Sequence, residues 1–327
     1  MTALRLLRAG PACTLQDAGR TGFLRFGVTP AGPMDWIAHH TANAMAGNPP
    51  GTAVIEVGPG GLSVTTEGGP VRLGLSARGF RVRRDGSDLP TRIALTLRPG
   101  ARLEIVPGRS HLWACLAVTG GFDATPVMGS LATHLRSGLG PFGGAALTTG
   151  QALPVLAHPT DEDEFALFDP IPPDPGPIRY IPGPQDDFFT PAARTTLSTA
   201  TYSVAARSDR MAYRLSGPPL AHARGHDIVS DGIALGAIQV PGDGLPLVLM
   251  ADRQPTGGYP KIGCVIRADL PRLAQTRPGQ PLRFAPVTVD QAVAALRAAI
   301  PDPMTLRIRC RILRSVTGLG PNAGQPF

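Results

Sequence analysis

Lysine occurs once in the 327 residues, at Lys261; every other side chain counted as Lys or Arg is arginine. The two cations differ chemically. Arginine stays charged and presents a planar fork of donors, whereas lysine is a compact charge on a flexible stem whose proton can be lost in a dry site. Lys261 ends the stretch Thr256-Gly257-Gly258-Tyr259-Pro260-Lys261. A lysine kept there, among arginines, reads as a place where arginine would fail. The structural alternative is a lysine that opens a strand over 262–267 and pairs with Asp243 or Asp252.

Four polar, glycine-bracketed clusters stand apart from the apolar pattern. Gln16-Asp17-Ala18-Gly19-Arg20-Thr21-Gly22 puts an amide, a carboxylate and a guanidinium within one turn. Arg20 could grip a carboxylate or phosphate through paired donors, or Asp17 and Arg20 could merely close a tight turn. Gly129-Ser130-Leu131-Ala132-Thr133-His134 could offer backbone N–H groups and hydroxyls to an anion, or be an ordinary polar loop. In Ser208-Asp209-Arg210-Met211-Ala212-Tyr213-Arg214, Ser208 or Asp209 could cap a turn while Arg210 and Tyr213 reach into a cleft. The fourth cluster joins Gln239-Val240-Pro241-Gly242-Asp243-Gly244 to residues 252–261. Strands over 236–240 and 246–250 would set its loops side by side.

Several familiar motifs are absent: GxxxxGK[ST] for a phosphate loop, GxSxG for a nucleophile elbow and HExxH for zinc. His222 and His226 have a metal-ligating helical spacing. Gly225 and the preceding Pro218-Pro219 argue against a helix, and no third ligand accompanies them, so no metal site is expected.

The clusters must be positioned by short strands. Glycine (40) and proline (36) punctuate a chain that is 43% hydrophobic, a pattern of many strands joined by turns around a real core. Strands are expected over 53–57, 62–66, 71–75, 93–97, 102–106 and 112–118, then over 178–181, 237–240, 246–250, 262–267 and 282–284. Helices are few. One is expected over 33–46, with Pro33 in its first turn and Gly47-Asn48-Pro49 as its stop. Another is expected over 289–300, opened by a Thr288/Gln291 capping box. The acidic run 161–164, followed by prolines 170, 172, 173, 175 and 177, reads as a stiff linker. It gives a first domain over 1–160, a linker over 161–177, a second domain over 178–300 and a tail over 301–327. The two domains echo one another weakly: Arg98-Pro99-Gly100 resembles Arg277-Pro278-Gly279, and Thr119-Gly120-Gly121-Phe122 resembles Thr256-Gly257-Gly258-Tyr259.

Net charge is +7, which raises nucleic acid as a partner, but the arginines are scattered and the densest runs, 78–84 and 307–314, alternate with apolar residues as solvated strand faces do. With aromatics at only 5%, base-stacking platforms are scarce. An acidic protein partner is a further reading of the charge. The four cysteines include no CxxC pair, and three sit among apolar neighbours as reduced core thiols do. No apolar stretch approaches membrane-spanning length, so the expectation is a soluble, cytoplasmic chain.

Taken in order, the clusters resemble the biotin-dependent carboxyltransferase-like family. That family includes the C subunit of prokaryotic 5-oxoprolinase, the KipA-like antagonists of KipI and the carboxyltransferase region of urea carboxylase. The resemblance rests on Leu15-Gln16-Asp17 with Gly19-Arg20 and Gly22, Gly32-Pro33-Met34-Asp35, Ile55-Glu56, Thr119-Gly120-Gly121-Phe122 and Pro126-Val127-Met128-Gly129-Ser130 with Thr133. It continues through Gly183-Pro184-Gln185, Ser208-Asp209-Arg210-Met211, residues 236–241, Gly257-Gly258-Tyr259-Pro260-Lys261 and Ala274-Gln275. Two positions depart from it: Ala212 stands where the family usually has glycine, and Pro255 where it has threonine.

The resemblance implies two tandem cyclophilin-like β-barrel domains and a KipI-like B-subunit partner. It implies a subunit of an ATP-dependent 5-oxoprolinase that, with a lactam-hydrolase A subunit, opens 5-oxoproline to glutamate. ATP would be needed by the whole system, at a site that a partner could share. One alternative is a carboxyltransferase component acting on a urea-like amide, with biotin arriving on a separate carrier, since this chain contains no Met-Lys-Met. Another is a non-catalytic KipA-like antagonist of a kinase inhibitor. In the enzymatic reading Lys261 neutralises charge developing on oxygen. Tyr259, Gln239 and Ser130 orient the amide, Arg20 and Arg210 hold an anionic group, and Asp17 positions Arg20. Thr133, Ser208, Tyr213, Gly257 and Gly258 complete the substrate-binding set.

Overall fold

The computed structural model describes residues 2–156, 163–168 and 176–300, and the backbone of the strand Cys310–Ile312. The chain is mainly β. Its first half folds as two antiparallel sheets. One runs in the order Ala152–Pro154, Ala3–Ala9, Leu62–Glu67, Leu103–Val106, Arg81–Arg84 and Ser87–Leu89. The other runs Thr14–Gln16, Val54–Val57, Ala114–Val118, Val71–Ser76, Arg92–Leu97, Phe165–Leu167 and Cys310–Ile312.

Strand alternation decides which side chains meet between the sheets. Leu4, Leu6, Leu62, Val64 and Leu103 from the first sheet meet Ile55, Val57, Leu73, Leu75, Leu95, Leu116 and Val118 from the second in one core. The intervening residues of the second sheet, Val54, Cys115 and Ala117, point outward against helix α1 (Trp36–Ala46) and its Ala38, Ala42 and Ala46. Burial on both faces explains why these strands read as continuous apolar runs.

Helix α1 starts three residues later than the proline suggested. Asp35 accepts from the Ala38 N–H at 2.8 Å and is the N-cap, so Pro33 lies before the helix; Gly47, at φ 73°, is the left-handed stop. Gly74 lets α1 approach the sheet: a β-carbon there would lie 2.2 Å from the Ala42 carbonyl oxygen and 2.4 Å from the Ala46 nitrogen. Gly74→Ala is therefore expected to cost about 3 kcal/mol of stability by overpacking. Urea denaturation checks this, and an unchanged midpoint would mean the helix shifts freely.

The second half is an eight-stranded sheet: Pro281–Leu282, Tyr202–Val204, Ala212–Ser216, Leu247–Leu249, Ala237–Gln239, Lys261–Val265, Ile178–Pro182 and Phe284–Pro286. Its two edge strands are consecutive in sequence. The expected single strand over 282–284 is split at Arg283: Leu282 pairs with Tyr202, whereas Phe284 runs parallel beside Ile178. One segment thus stitches both edges and nearly closes a barrel. Its core holds Tyr180, Tyr202, Val204, Leu215, Ile238, Val248, Ile262 and Phe284. Helices α2 (Pro191–Thr199), α3 (Leu270–Ala274) and α4 (Val289–Ala299) complete this half among the described residues, and α4 carries the expected Thr288/Gln291 capping box.

Two boundary expectations change. Phe165–Leu167, inside the expected linker, is a strand beside Arg92–Leu97, and Cys310–Ile312, inside the expected tail, pairs with it. The reason is apolar content: Ala166 joins the first core, and Leu167 packs with Ala44, Met45 and Ala94. The rest of both segments lies largely outside the described residues. The echo between halves is half real. Gly100 and Gly279 make the same left-handed turn (φ 87° and 81°) before strands, but Gly120 and Gly121 have positive φ while Gly257 and Gly258 do not.

The halves are joined by buried polar contacts. Gln275 accepts from the Leu112 and Trp113 N–H groups at 2.8 and 2.9 Å and donates to Asp35 at 2.8 Å. Trp36 donates its indole N–H to the Arg267 carbonyl, and the Thr29 hydroxyl donates to that of Arg253. Among the described residues, no helix is long and apolar enough to cross a membrane.

Candidate functional site

Lys261 opens the strand Lys261–Val265, and its side chain is buried. A register shift after Ile238 sets Gln239 opposite it. The ammonium donates to the Asp231 carboxylate at 3.0 Å; the partner is neither Asp243 nor Asp252, the two that the sequence alone suggests. Asp231 is largely exposed and sits in a two-stranded ribbon with Gly257, while Gly258 accepts from the Ile228 N–H. The ammonium holds the Asp231 carboxyl below its usual range. Buried Gln239 donates to the Tyr259 carbonyl at 3.3 Å, leaving the Tyr259 side chain half-exposed. Gly257 lies against side-chain ends: a β-carbon there would lie 2.6 Å from Ile233 Cδ1 and 2.9 Å from Gln239 Nε2, which would have to shift, and in ordinary contact with Gln254 Nε2 at 3.6 Å. Lys261, Gln239, Tyr259, Gly257 and Gly258 thus lie in one cluster.

The first two sequence clusters form another. Asp17 accepts from the Gly19 N–H, from the Ser130 hydroxyl at 2.6 Å and from the Leu131 N–H at 2.6 Å. Arg20, 1% exposed, donates to the carbonyls of Val127 at 3.0 Å and Ala132 at 2.8 Å. Thr133 is tied through its backbone to Leu15 and Gln16. Asp17 and Arg20 therefore clamp the same loop and do not bond each other. The expectation that Asp17 positions Arg20 for a substrate anion is corrected: burial encloses the guanidinium, and its bonds go to loop carbonyls.

Arg210 is corrected likewise. Its guanidinium pairs with Asp252 through two bonds of 2.9 Å, with Glu56 of the first half and with the Gly32 carbonyl. Four of its five N–H donors are occupied in this way, so it clasps the halves and does not present a fork to substrate. Burial pushes the Glu56 carboxyl up to about 7, because two carboxylates share one guanidinium in a dry seam. Tyr213 is similarly spent: its hydroxyl donates to the Ala274 carbonyl at 2.7 Å, and burial raises its pKa. Ser208 exchanges hydrogen bonds with the Arg214 backbone. Ala212, where the resemblance led us to expect glycine, lies in an ordinary strand without positive φ, so no backbone strain follows.

A cleft runs between the halves. A cavity of about 450 Å³ is walled by Leu112, Trp113, Leu135, Val204 and Tyr213, with Ser208 and Asp209 also lining it. A second, of about 420 Å³, is lined by Thr29, Ser137, Arg253, Gln254 and Pro255. His134, Arg136, Met211 and Asp252 line both, so the two adjoin. Gln254, beside Gly257, links the second cavity to the Lys261 cluster. Sequence reasoning does not single out His134, Arg136, Arg253 or the apolar wall. His134 ends one polar cluster and Arg253 sits within another, but nothing in their spacing indicates that they meet.

Residues 26–286 match the family model of the carboxyltransferase domain, subdomain A and B. The chain belongs to this carboxyltransferase-domain family. It is 35% identical over 299 residues to the C subunit of 5-oxoprolinase from Escherichia coli (strain K12), covering 89% of this chain and 94% of that one. It is 28% identical over 315 residues to the urea amidolyase of Saccharomyces cerevisiae, covering 89% of this chain but 17% of that enzyme. The crystal structure of TTHA0988 superposes with a TM-score of 0.79 at 30% identity, over 87% of this chain and 56% of that one.

Proposed function

We propose that this chain is the C subunit of an ATP-dependent 5-oxoprolinase, acting with a KipI-like B subunit and a lactam-hydrolase A subunit to open 5-oxoproline to glutamate. The observation that carries this reading is the similarity to the Escherichia coli C subunit along nearly the whole of both chains. The interdomain cleft supports it, since ligand sites of small molecules favour such seams. In this reading the Lys261 ammonium neutralises charge developing on the amide oxygen. Gln239 and Tyr259 hold the loop that frames it.

The cleft suits a small anion better than a triphosphate. Its free cations are few, Asp209 lies in its wall, and Asp252 is already spent on Arg210. ATP would therefore be handled mainly by partner surfaces. The expected result is that the purified chain, mixed with its B and A partners, hydrolyses ATP and releases glutamate only when 5-oxoproline is present. Equal turnover without this chain would sink the reading.

The family match favours one second reading, a carboxyltransferase component served by a separate biotin carrier. The apolar wall of Leu112, Trp113 and Val204 would hold the carrier's ring, and carboxybiotin would supply the carboxyl group and leave as biotin. Avidin capture of a partner from cell extract together with this chain would support it; capture of the chain without any biotinylated protein would count against it.

A further inference from the structure

We propose that the smaller cavity of the cleft is a carboxylate site, in which Arg253 takes the carboxylate of a small monoanionic ligand, His134 bonds its polar body and Arg136 stands at the mouth. Arg253 is 7% exposed, yet among the described residues no carboxylate pairs with it. Its Nε donates to the Ile233 carbonyl at 3.0 Å. Its two terminal nitrogens have no acceptor among the described residues, and the residue lines the cavity. A buried guanidinium whose free edge faces a cavity is half of a bidentate carboxylate pair. Burial also lowers its pKa from the usual value, the mark of a cation that lacks a partner in the unliganded protein.

A second group points to the same place. His134 is 6% exposed and lines both cavities. Its Nδ1 is 2.9 Å from the Ser137 hydroxyl, which fixes the ring, while its Nε2 is buried without a partner. A buried imidazole nitrogen left unbonded costs free energy unless a ligand or water completes it. Arg136 adds a second cation to the wall: its guanidinium donates to the Met211 sulfur at 2.8 Å, a weak acceptor that a carboxylate would outcompete.

The charge balance selects the ligand class. Asp252 is neutralised by Arg210, and Asp209 accepts from the Met211 and Ala212 N–H groups beside the apolar cavity. A polyphosphate would meet too few cations and one acidic wall, whereas a monocarboxylate matches Arg253 and leaves its body for the apolar chamber. The class follows from the cavity; that the carboxylate is that of 5-oxoproline rests on the C-subunit reading.

Calorimetric titration of the purified chain tests this with 5-oxoproline, its neutral amide 5-oxoprolinamide, acetate and inorganic phosphate as probes. Saturable binding of 5-oxoproline is expected, with the amide bound much more weakly. Arg253→Met should weaken carboxylate binding about 30-fold or more, as loss of a buried charged partner does. Arg253→Lys, which keeps charge without the fork, should fall between. Arg136→Gln, at an exposed position, should weaken binding about 3-fold without changing stability. His134→Phe should weaken both 5-oxoproline and its amide. Should Arg253→Met fail to fold, Arg253→Lys and Arg136→Gln decide. Carboxylate binding unchanged in these variants, phosphate binding as tightly as carboxylate, or no carboxylate bound at all would each overturn the site. Acetate bound through Arg253 with 5-oxoproline excluded would keep the site and overturn its ligand. Full turnover in the reconstituted complex with an Arg253 variant that binds no carboxylate would overturn the site while leaving the C-subunit reading standing.

Discussion

Arg210→Met is expected to lower the unfolding free energy by about 3 kcal/mol, because it leaves the buried Glu56 carboxylate without its cation and strips the Asp252 carboxylate at the cleft wall of its partner. Arg210 is 7% exposed and Glu56 is wholly buried, so water cannot replace the lost partner. The clasp also spans the halves, since Glu56 sits on Val54–Val57 and Asp252 follows Leu247–Leu249. Chemical denaturation at pH 7 measures the loss; a change under about 1 kcal/mol would mean that the seam is held by its other contacts, among them those of Gln275, Trp36 and Thr29. Replacing the whole cluster with Arg210→Met, Glu56→Gln and Asp252→Asn together should recover part of the loss, because no charge is then stranded.

The same cluster predicts a pH dependence of definite sign. The Glu56 carboxyl is raised from 4.5 to about 7 by burial, so the folded protein holds that proton more tightly than the unfolded chain. Its contribution to stability is fully present below about 4.5 and is lost as pH rises through about 7. The magnitude is on the order of 3 kcal/mol, at about 1.4 kcal/mol for each unit. The wild-type stability relative to Glu56→Gln should fall across that window. A difference that stays flat from about pH 4.5 to about pH 7 would show that Glu56 is ionised throughout.

Lys261→Met is expected to reduce turnover of the reconstituted enzyme by about 10²–10³-fold, the range seen when one donor to a developing oxyanion is removed. Stability should change by less than about 1 kcal/mol, because the Asp231 carboxylate left behind is 54% exposed and rehydrates. Lys261→Arg is the sharper variant. It keeps the charge, but the wider planar fork must fit where the buried ammonium now sits beside Gln239. We expect at least about a 10-fold loss from it. Near-wild-type turnover in arginine would mean that the lone lysine serves only to hold the Asp231 ribbon.

Much of the fold was legible in the sequence because strand and turn chemistry is local. The strands around Leu73, Leu95 and Leu116 stand out as Val, Ile and Leu runs between glycines and prolines. The α4 capping box and the Gly47 stop follow from residue type and offset. Helix α1 is displaced by three residues because Asp35 competes with Pro33 for its start, and only hydrogen-bond geometry decides between them. The strand Phe165–Leu167 is masked by the acidic and proline-rich residues around it.

Residue type and spacing point to a mainly β chain with glycine-framed polar clusters, and they single out Lys261 and its neighbours. Periodicity, turn residues and composition suffice for that, since each acts over a few residues. Which polar side chains are spent and which are available emerges only once the halves pack together. Arg20, Arg210 and Arg253 look alike in sequence. One is closed over loop carbonyls, one is locked between Glu56 and Asp252, and one turns a free edge into a cavity. The difference is set by partners far away in sequence, such as Glu56 for Arg210 and Val127 for Arg20. A guanidinium's function depends on whether burial has already supplied its acceptors, and that is a property of packing between elements that no local spacing carries.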